Sequence, residues 1–134
     1  MSRKGKILLV DDDAHICDLL EEHFAEQGYQ VARARDGREA LAAAAGDRPD
    51  VVVLDVGLPG INGLEVLRRL HHQDPSIAVI MISGNADATL GRSTLNLGAI
   101  DYVFKPLDFD RLDRAVFPFA AAAGLVAAGA ARSL

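Results

Sequence analysis

Apolar residues along this chain come in short blocks separated by amphipathic stretches. Five blocks stand out, Ile7–Val10, Tyr29–Ala34, Val51–Leu54, Ile77–Ile82 and Tyr102–Phe104, spaced roughly two dozen residues apart. The first, third and fourth are continuously apolar and rich in Val, Ile and Leu. A strand with one face in water alternates polar and apolar residues, whereas a strand covered on both faces does not. These three therefore read as buried strands of a parallel sheet.

Between the blocks the period becomes helical. Ile16, Leu19, Leu20, His23 and Phe24 follow the i, i+3, i+4, i+7, i+8 spacing of one helical face, with Asp18, Glu21 and Glu22 on the other side. Asp13 is placed to cap this helix and Gly28 to end it. Asp36 with Glu39 reads as a capping box opening Arg38–Ala45, and Gly46 closes it. Leu64, Leu67, Arg68 and Leu70 mark a third helix, ended by Asp74-Pro75. A fourth is expected over Ala86–Leu97 with Gly98 as its stop, and a fifth from about Asp108 through Leu112, Ala115 and Val116. The sequence is thus strand–helix five times over. Such alternation implies right-handed crossovers and a doubly wound α/β sheet, all strands parallel, with helices on both faces. One domain over 1–118 is expected, followed by 119–134 as an Ala-rich tail or an extension of the last helix. Pro118 interrupts the fifth helical pattern. A frayed or loosely helical tail is the expectation, with a restart after Pro118, packing Leu125 and Val126 on a partner, as the alternative.

In a sheet of this kind ligands bind at the carboxyl ends of the strands. The polar residues there are Asp11, Asp12 and Asp13 after the first strand, Asp55 after the third, Ser83 after the fourth and Lys105 after the fifth. All share one rim although the sequence scatters them. Taken singly, each has an ordinary explanation: a solvated acidic loop, a turn residue, a Ser-Gly turn, a surface lysine. Their joint placement on successive strand ends is what points to chemistry. Clustered carboxylates repel and do not all stay ionised without a cation. A few hard oxygen ligands favour Mg²⁺, with Mn²⁺ as a substitute, while the lack of His or Cys at any strand end disfavours zinc and copper. Metal, lysine, hydroxyl and a free carboxylate together suit a phosphoryl group, with the carboxylate as nucleophile.

Composition narrows the partners. The 134 residues are 50% hydrophobic and 25% charged, which excludes disorder, collagen and coiled coil as the main description. With 14 Lys+Arg against 19 Asp+Glu, the net charge of −5 argues against direct nucleic-acid binding. The single cysteine, Cys17, forms no internal disulfide, and a reducing, cytoplasmic setting is the simplest one. No membrane segment is expected: the uncharged stretch Phe117–Ala131 contains Pro118, Gly124 and Gly129 and is shorter than the ~20 residues of a spanning helix.

Four segments carry a resemblance: ILLVDDD at Ile7–Asp13, VVVLDVGLPGINGLEVL at Val51–Leu67, MISG at Met81–Gly84 and DYVFKP at Asp101–Pro106. In this order and spacing they resemble the receiver domains of two-component response regulators, over roughly Lys6 to Val116. The resemblance implies a flavodoxin-like (βα)5 fold with strand order 2-1-3-4-5. It implies that Asp55 is the phospho-acceptor, taking phosphoryl from a sensor histidine kinase or histidine phosphotransferase. Asp11 and Asp12 would hold Mg²⁺ together with Asp55 and the backbone carbonyl of Gly57. Lys105 would pair with phosphoryl oxygens, the Lys105-Pro106 peptide would be cis, Ser83 would be the switch hydroxyl, and Tyr102 the switch aromatic. Pro59, Gly60 and Gly63 would shape the loop after Asp55. Gly57 and Asn85 hold the two positions that tune dephosphorylation in this family.

The function implied is a phospho-switch and not a conventional enzyme, since it catalyses only its own phosphorylation and dephosphorylation. Its output would be the surface of helix four, strand five and helix five, around Ala88–Leu97 and Tyr102–Val116, read by a downstream protein target, with a homodimer left open. The chain ends soon after the fifth helix, so a stand-alone switch or phosphorelay intermediate is expected. A receiver-like interaction module independent of phosphorylation is the alternative, disfavoured by the intact set of Asp11, Asp12, Asp55, Ser83 and Lys105. An aspartate-nucleophile phosphatase would carry a second acid where Gly57 stands, and a nucleotide-binding protein would carry a GxxxxGK loop after the first strand. His15, His23, His71 and His72 have no partner in the sequence that suggests a phosphohistidine, and Cys17 reads as a packed helix residue.

Overall fold

The computed structural model describes residues 5–84 and 88–127. Strands and helices alternate as β1 (Lys6–Val10), α1 (Ala14–Glu26), β2 (Gln30–Ala34), α2 (Gly37–Gly46), β3 (Val51–Asp55), α3 (Gly63–Gln73), β4 (Ala78–Ser83), α4 (Ala88–Asn96), β5 (Asp101–Phe104) and α5 (Phe109–Ala127). The five strands form one parallel sheet in the order β2-β1-β3-β4-β5. This is the doubly wound arrangement that the alternation of buried strands and amphipathic helices predicts. The N-terminal end of the expected fourth helix, Ala86 with Asp87, lies outside the described residues, as does Asn85.

Successive strand residues point to opposite faces, so each central strand feeds two cores. Leu8, Val10, Val52, Leu54, Val79 and Met81 pack with Ala40 and Ala44 of α2 and with Val66, Leu67 and Leu70 of α3. Ile7, Leu9, Val51, Val53, Ile80 and Ile82 pack on the other face with Leu20 and Phe24 of α1 and with Leu112 and Val116 of α5. β1, β3 and β4 are buried throughout, which explains their unbroken apolar runs.

Helix ends follow local chemistry. The Asp13 carboxylate accepts from the His15 and Ile16 amides, and Gly28 leaves α1 with φ 96°. Asp36 accepts from the Glu39 amide, while the Glu39 carboxylate reaches back to the Arg35 amide, one residue before the reciprocal partner of a regular capping box. Asn62 caps α3 at the Glu65 amide, and Asp108 accepts from the Arg111 amide at the start of α5.

Two expectations need correction. The buried stripe of α1 is Cys17, Leu20 and Phe24, whereas Leu19 is 43% exposed. The helix is turned so that the small Cys17 side chain is buried, its thiol donating to the Asp11 carbonyl at 3.4 Å. His23, expected on the apolar face, sits at its edge, where its Nε2 lies 2.8 Å from Asp113 Oδ1 and its ring stacks on Phe109 at 4.5 Å. α5 runs through Pro118 to Ala127, and 128–134 lie outside the described residues. Proline in a helix removes one hydrogen bond and crowds the carbonyl four residues back. Pro118 is exposed, so the freed Arg114 carbonyl can turn to water.

Candidate functional site

Parallel register brings the polar strand ends together. Val10 of β1 pairs with Leu54 of β3, so Asp11 follows β1 beside Asp55. Asp55 pairs with Ile82 of β4, and Ser83 pairs with Phe104 of β5, which puts Lys105 one step beyond. One carboxylate oxygen from each of Asp11, Asp12 and Asp55 can be chosen so that all three lie within 4.8 Å of one another. Lys105 Nζ stands 3.3 Å from Asp11 Oδ2 and 3.5 Å from Asp55 Oδ2. Asp11 and Asp55 are 2% and 6% exposed, while Asp12 faces solvent. Ser83 is buried at the same rim.

Burial pushes the Asp11 carboxyl above its ordinary range, and the neighbouring Asp55 charge adds to the push. The Asp13 amide, donating to Asp11 Oδ1 at 2.9 Å, and Lys105 oppose it. Burial alone would lower the Lys105 ammonium, but the Asp11 and Asp55 carboxylates outweigh it and hold it above its usual value. Lys105 is therefore a fixed cation set against crowded carboxylates. The three acidic groups form an all-oxygen donor set whose mutual repulsion a divalent cation relieves, so they fit a Mg²⁺ ion on charge and ligand type.

The loop after Asp55 is held by its own backbone. The Gly57 amide donates to Asp55 Oδ1 at 3.1 Å, orienting the carboxylate, and a Cβ on Gly57 would meet nothing nearer than that oxygen at 3.9 Å. Gly63 begins α3 directly against β3. A Cβ there would stand 2.5 Å from the Asp55 carbonyl oxygen and 2.6 Å from Val56 Cα, so only glycine lets the helix approach so closely. The Lys105-Pro106 peptide is cis.

Tyr102 lies two residues before the β5 position that pairs with Ser83 and is 8% exposed. Its ring packs under α4, where a Cβ on Gly91 would touch it at 3.7 Å, and meets Phe104 edge-on at 5.2 Å. The structure thus gathers Asp11, Asp12, Asp55 and Lys105 into one cluster, places Ser83 beside it, and sets Tyr102 under the neighbouring helix. One neighbour of the site has no sequence signal, the Cys17 thiol on the Asp11 carbonyl; within α4, Thr94 is fully buried with its hydroxyl donating to the Gly91 carbonyl at 2.8 Å.

Residues 7–117 match the response regulator receiver domain family, and the chain belongs to it. It is 39% identical over 111 residues to sporulation initiation phosphotransferase F of Bacillus subtilis, covering 83% of this chain and 90% of that protein. It is 40% identical over 107 residues to the C4-dicarboxylate transport transcriptional regulatory protein DctD of Pseudomonas aeruginosa, covering 80% of this chain but 23% of that longer protein. Among solved structures, the receiver domain of the Francisella response regulator 1452 superposes with a TM-score of 0.83 at 30% identity, over 89% of this chain and 98% of that one. Receiver domains are the phosphorylated signalling modules of two-component systems. Among the described residues no helix is long and apolar enough to cross a membrane.

Proposed function

We propose that this receiver takes a phosphoryl group onto Asp55 from a phosphohistidine of a sensor kinase or histidine phosphotransferase, and that the product is read by a protein target. The observation that carries the reading is the position of Lys105 Nζ against both Asp11 and Asp55, at the point where three carboxylates converge. An Asp55 carboxylate oxygen attacks phosphorus, and the bond from phosphorus to the donor imidazole nitrogen breaks, its electron pair returning to the ring. Transfer of this kind depends on positioning and charge neutralisation. Asp11, Asp12, Asp55 and the Gly57 carbonyl are the groups that would hold Mg²⁺, or Mn²⁺ in its place. The ion neutralises charge on the transferring oxygens when bound.

The Gly57 amide keeps Asp55 aimed, and Lys105 is placed to exchange its carboxylate partners for phosphoryl oxygens. Ser83, on the next strand, is placed to donate its hydroxyl to the same group. Such new contacts pull on the ends of β4 and β5, and Tyr102, packed between β5 and α4, carries the movement to the surface. Leu95 of α4 and Phe104 of β5 are exposed there, apolar groups suited to a protein partner. Beryllium fluoride, which mimics an aspartyl phosphate, tests the reading. With Mg²⁺ it should shift the amides of Asp55, Ser83, Tyr102 and α4 in an NMR spectrum, and an unchanged spectrum would contradict the proposal.

A further inference from the structure

A groove of about 320 Å³ lies against the site between α1 and the segment joining β5 to α5. Ile16, Leu19, Lys105, Pro106, Leu107 and Phe109 line it. Its volume is on the scale of a small-molecule pocket. Lys105 is shared by groove and site, since it lines the groove and its Nζ stands 3.5 Å from Asp55 Oδ2. Besides Lys105, the lining has one polar member, His15, in the first turn of α1. The far wall is braced, because the Phe109 ring stacks on His23, which Asp113 and Gln27 hold by hydrogen bonds. A ligand suited to this groove has an apolar body and an anionic end, the anionic end lying where Lys105 meets Asp55.

We propose that the groove seats the acyl group of a small acyl phosphate, so that the protein favours phosphodonors with a bulky apolar acyl group over acetyl phosphate. This rests on the reading of Asp55 as phospho-acceptor. In the transfer, an Asp55 oxygen bonds to phosphorus and the bond from phosphorus to the acyl oxygen breaks. The electron pair stays on that oxygen, and the donor leaves as a carboxylate with no proton or redox partner required. In-line displacement sets the leaving oxygen opposite Asp55. The acyl body must therefore leave the site over its rim, and on the Lys105 side that rim is the groove. Apolar bulk buried there speeds transfer by the usual discrimination of a hydrophobic pocket, roughly tenfold for a ring in place of a methyl group.

The test compares benzoyl phosphate with acetyl phosphate, each with Mg²⁺, by intact mass against time, in the wild-type protein and in Leu19→Gln. Leu19 is 43% exposed, so the fold tolerates the change. Taking the ratio of the two donor rates removes any general effect of the substitution. The wild-type ratio should favour benzoyl phosphate by roughly tenfold and fall severalfold in the variant. A ratio near one in the wild type, or an equal ratio in both proteins, overturns the inference while leaving Asp55 as acceptor, and assigns the groove to something other than a small donor. Labelling by neither donor contradicts the acceptor reading itself, and the groove inference with it.

Discussion

Lys105 reaches Asp55 across an intervening strand. Its Nζ stands 3.5 Å from Asp55 Oδ2 although β4 separates β5 from β3. The same ammonium lies 3.3 Å from Asp11 Oδ2, so one cation bridges the ends of three strands' worth of sheet. Lys105→Ala should keep the fold but lose about 1–3 kcal/mol of stability, because a largely buried Asp11 is left with one neutralising partner fewer. Phosphorylation of that variant should no longer produce the wild-type NMR shifts in α4 and β5. Identical shifts in both proteins would show that Lys105 does not couple the site to the surface.

The acidic cluster should behave as a charge trap. Asp12→Ala removes one of three converging carboxylates, and should weaken Mg²⁺ binding by roughly tenfold or more while raising the melting temperature of the metal-free protein. In the wild type, added Mg²⁺ should raise the melting temperature by mass action. Calorimetric titration and thermal unfolding with and without Mg²⁺ check both statements, and equal Mg²⁺ affinity in the two proteins would count against the cluster as the metal site.

Close approach of α3 to Asp55 predicts a contrast between two glycines. A Cβ at Gly63 would overlap the Asp55 carbonyl oxygen at 2.5 Å, whereas a Cβ at Gly46 meets nothing within 4 Å. Gly63→Ala should cost about 1–3 kcal/mol through forced backbone movement. It should also slow labelling of Asp55 by displacing the loop that holds it. Gly46→Ala, at the last residue of α2, should be neutral or stabilise by up to about 1 kcal/mol. Urea unfolding of the two variants separates them.

Acid should weaken a surface network. Hydrogen bonds from Arg68 and Arg69 hold Glu65 at a pKa of about 2, well below the ordinary value of 4.5. A carboxylate with a depressed folded-state pKa stabilises the protein fully above its unfolded value, and that contribution is lost as pH falls from about 4.5 towards 2. The group is exposed, so the effect is small. Glu65→Gln should melt slightly below wild type at pH 7 and level with it near pH 2. A constant difference across that range would mean the arginines hold no special charge state.

What the sequence made legible is what local rules control. Unbroken Val, Ile and Leu runs exposed the central strands, and Asp13, Asp36 and Gly28 marked helix ends because caps are chosen by the backbone groups beside them. The cluster of Asp11, Asp55 and Lys105 was legible because parallel strands deliver their carboxyl ends to one rim. The rotation of α1 was not, because Cys17 and Leu19 are both apolar and only tertiary packing selects between them. The bond between His23 and Asp113 joins residues ninety positions apart, and no pattern on either helix encodes it.

The central claim is that Asp55 accepts a phosphoryl group with the help of its acidic neighbours. The most direct measurement is the intact mass of the protein after incubation with Mg²⁺ and acetyl phosphate, beside Asp55→Asn and beside a sample with the metal chelated. One added phosphoryl group is expected in the wild type, absent from the variant and from the chelated sample. An adduct that persists in Asp55→Asn would contradict it.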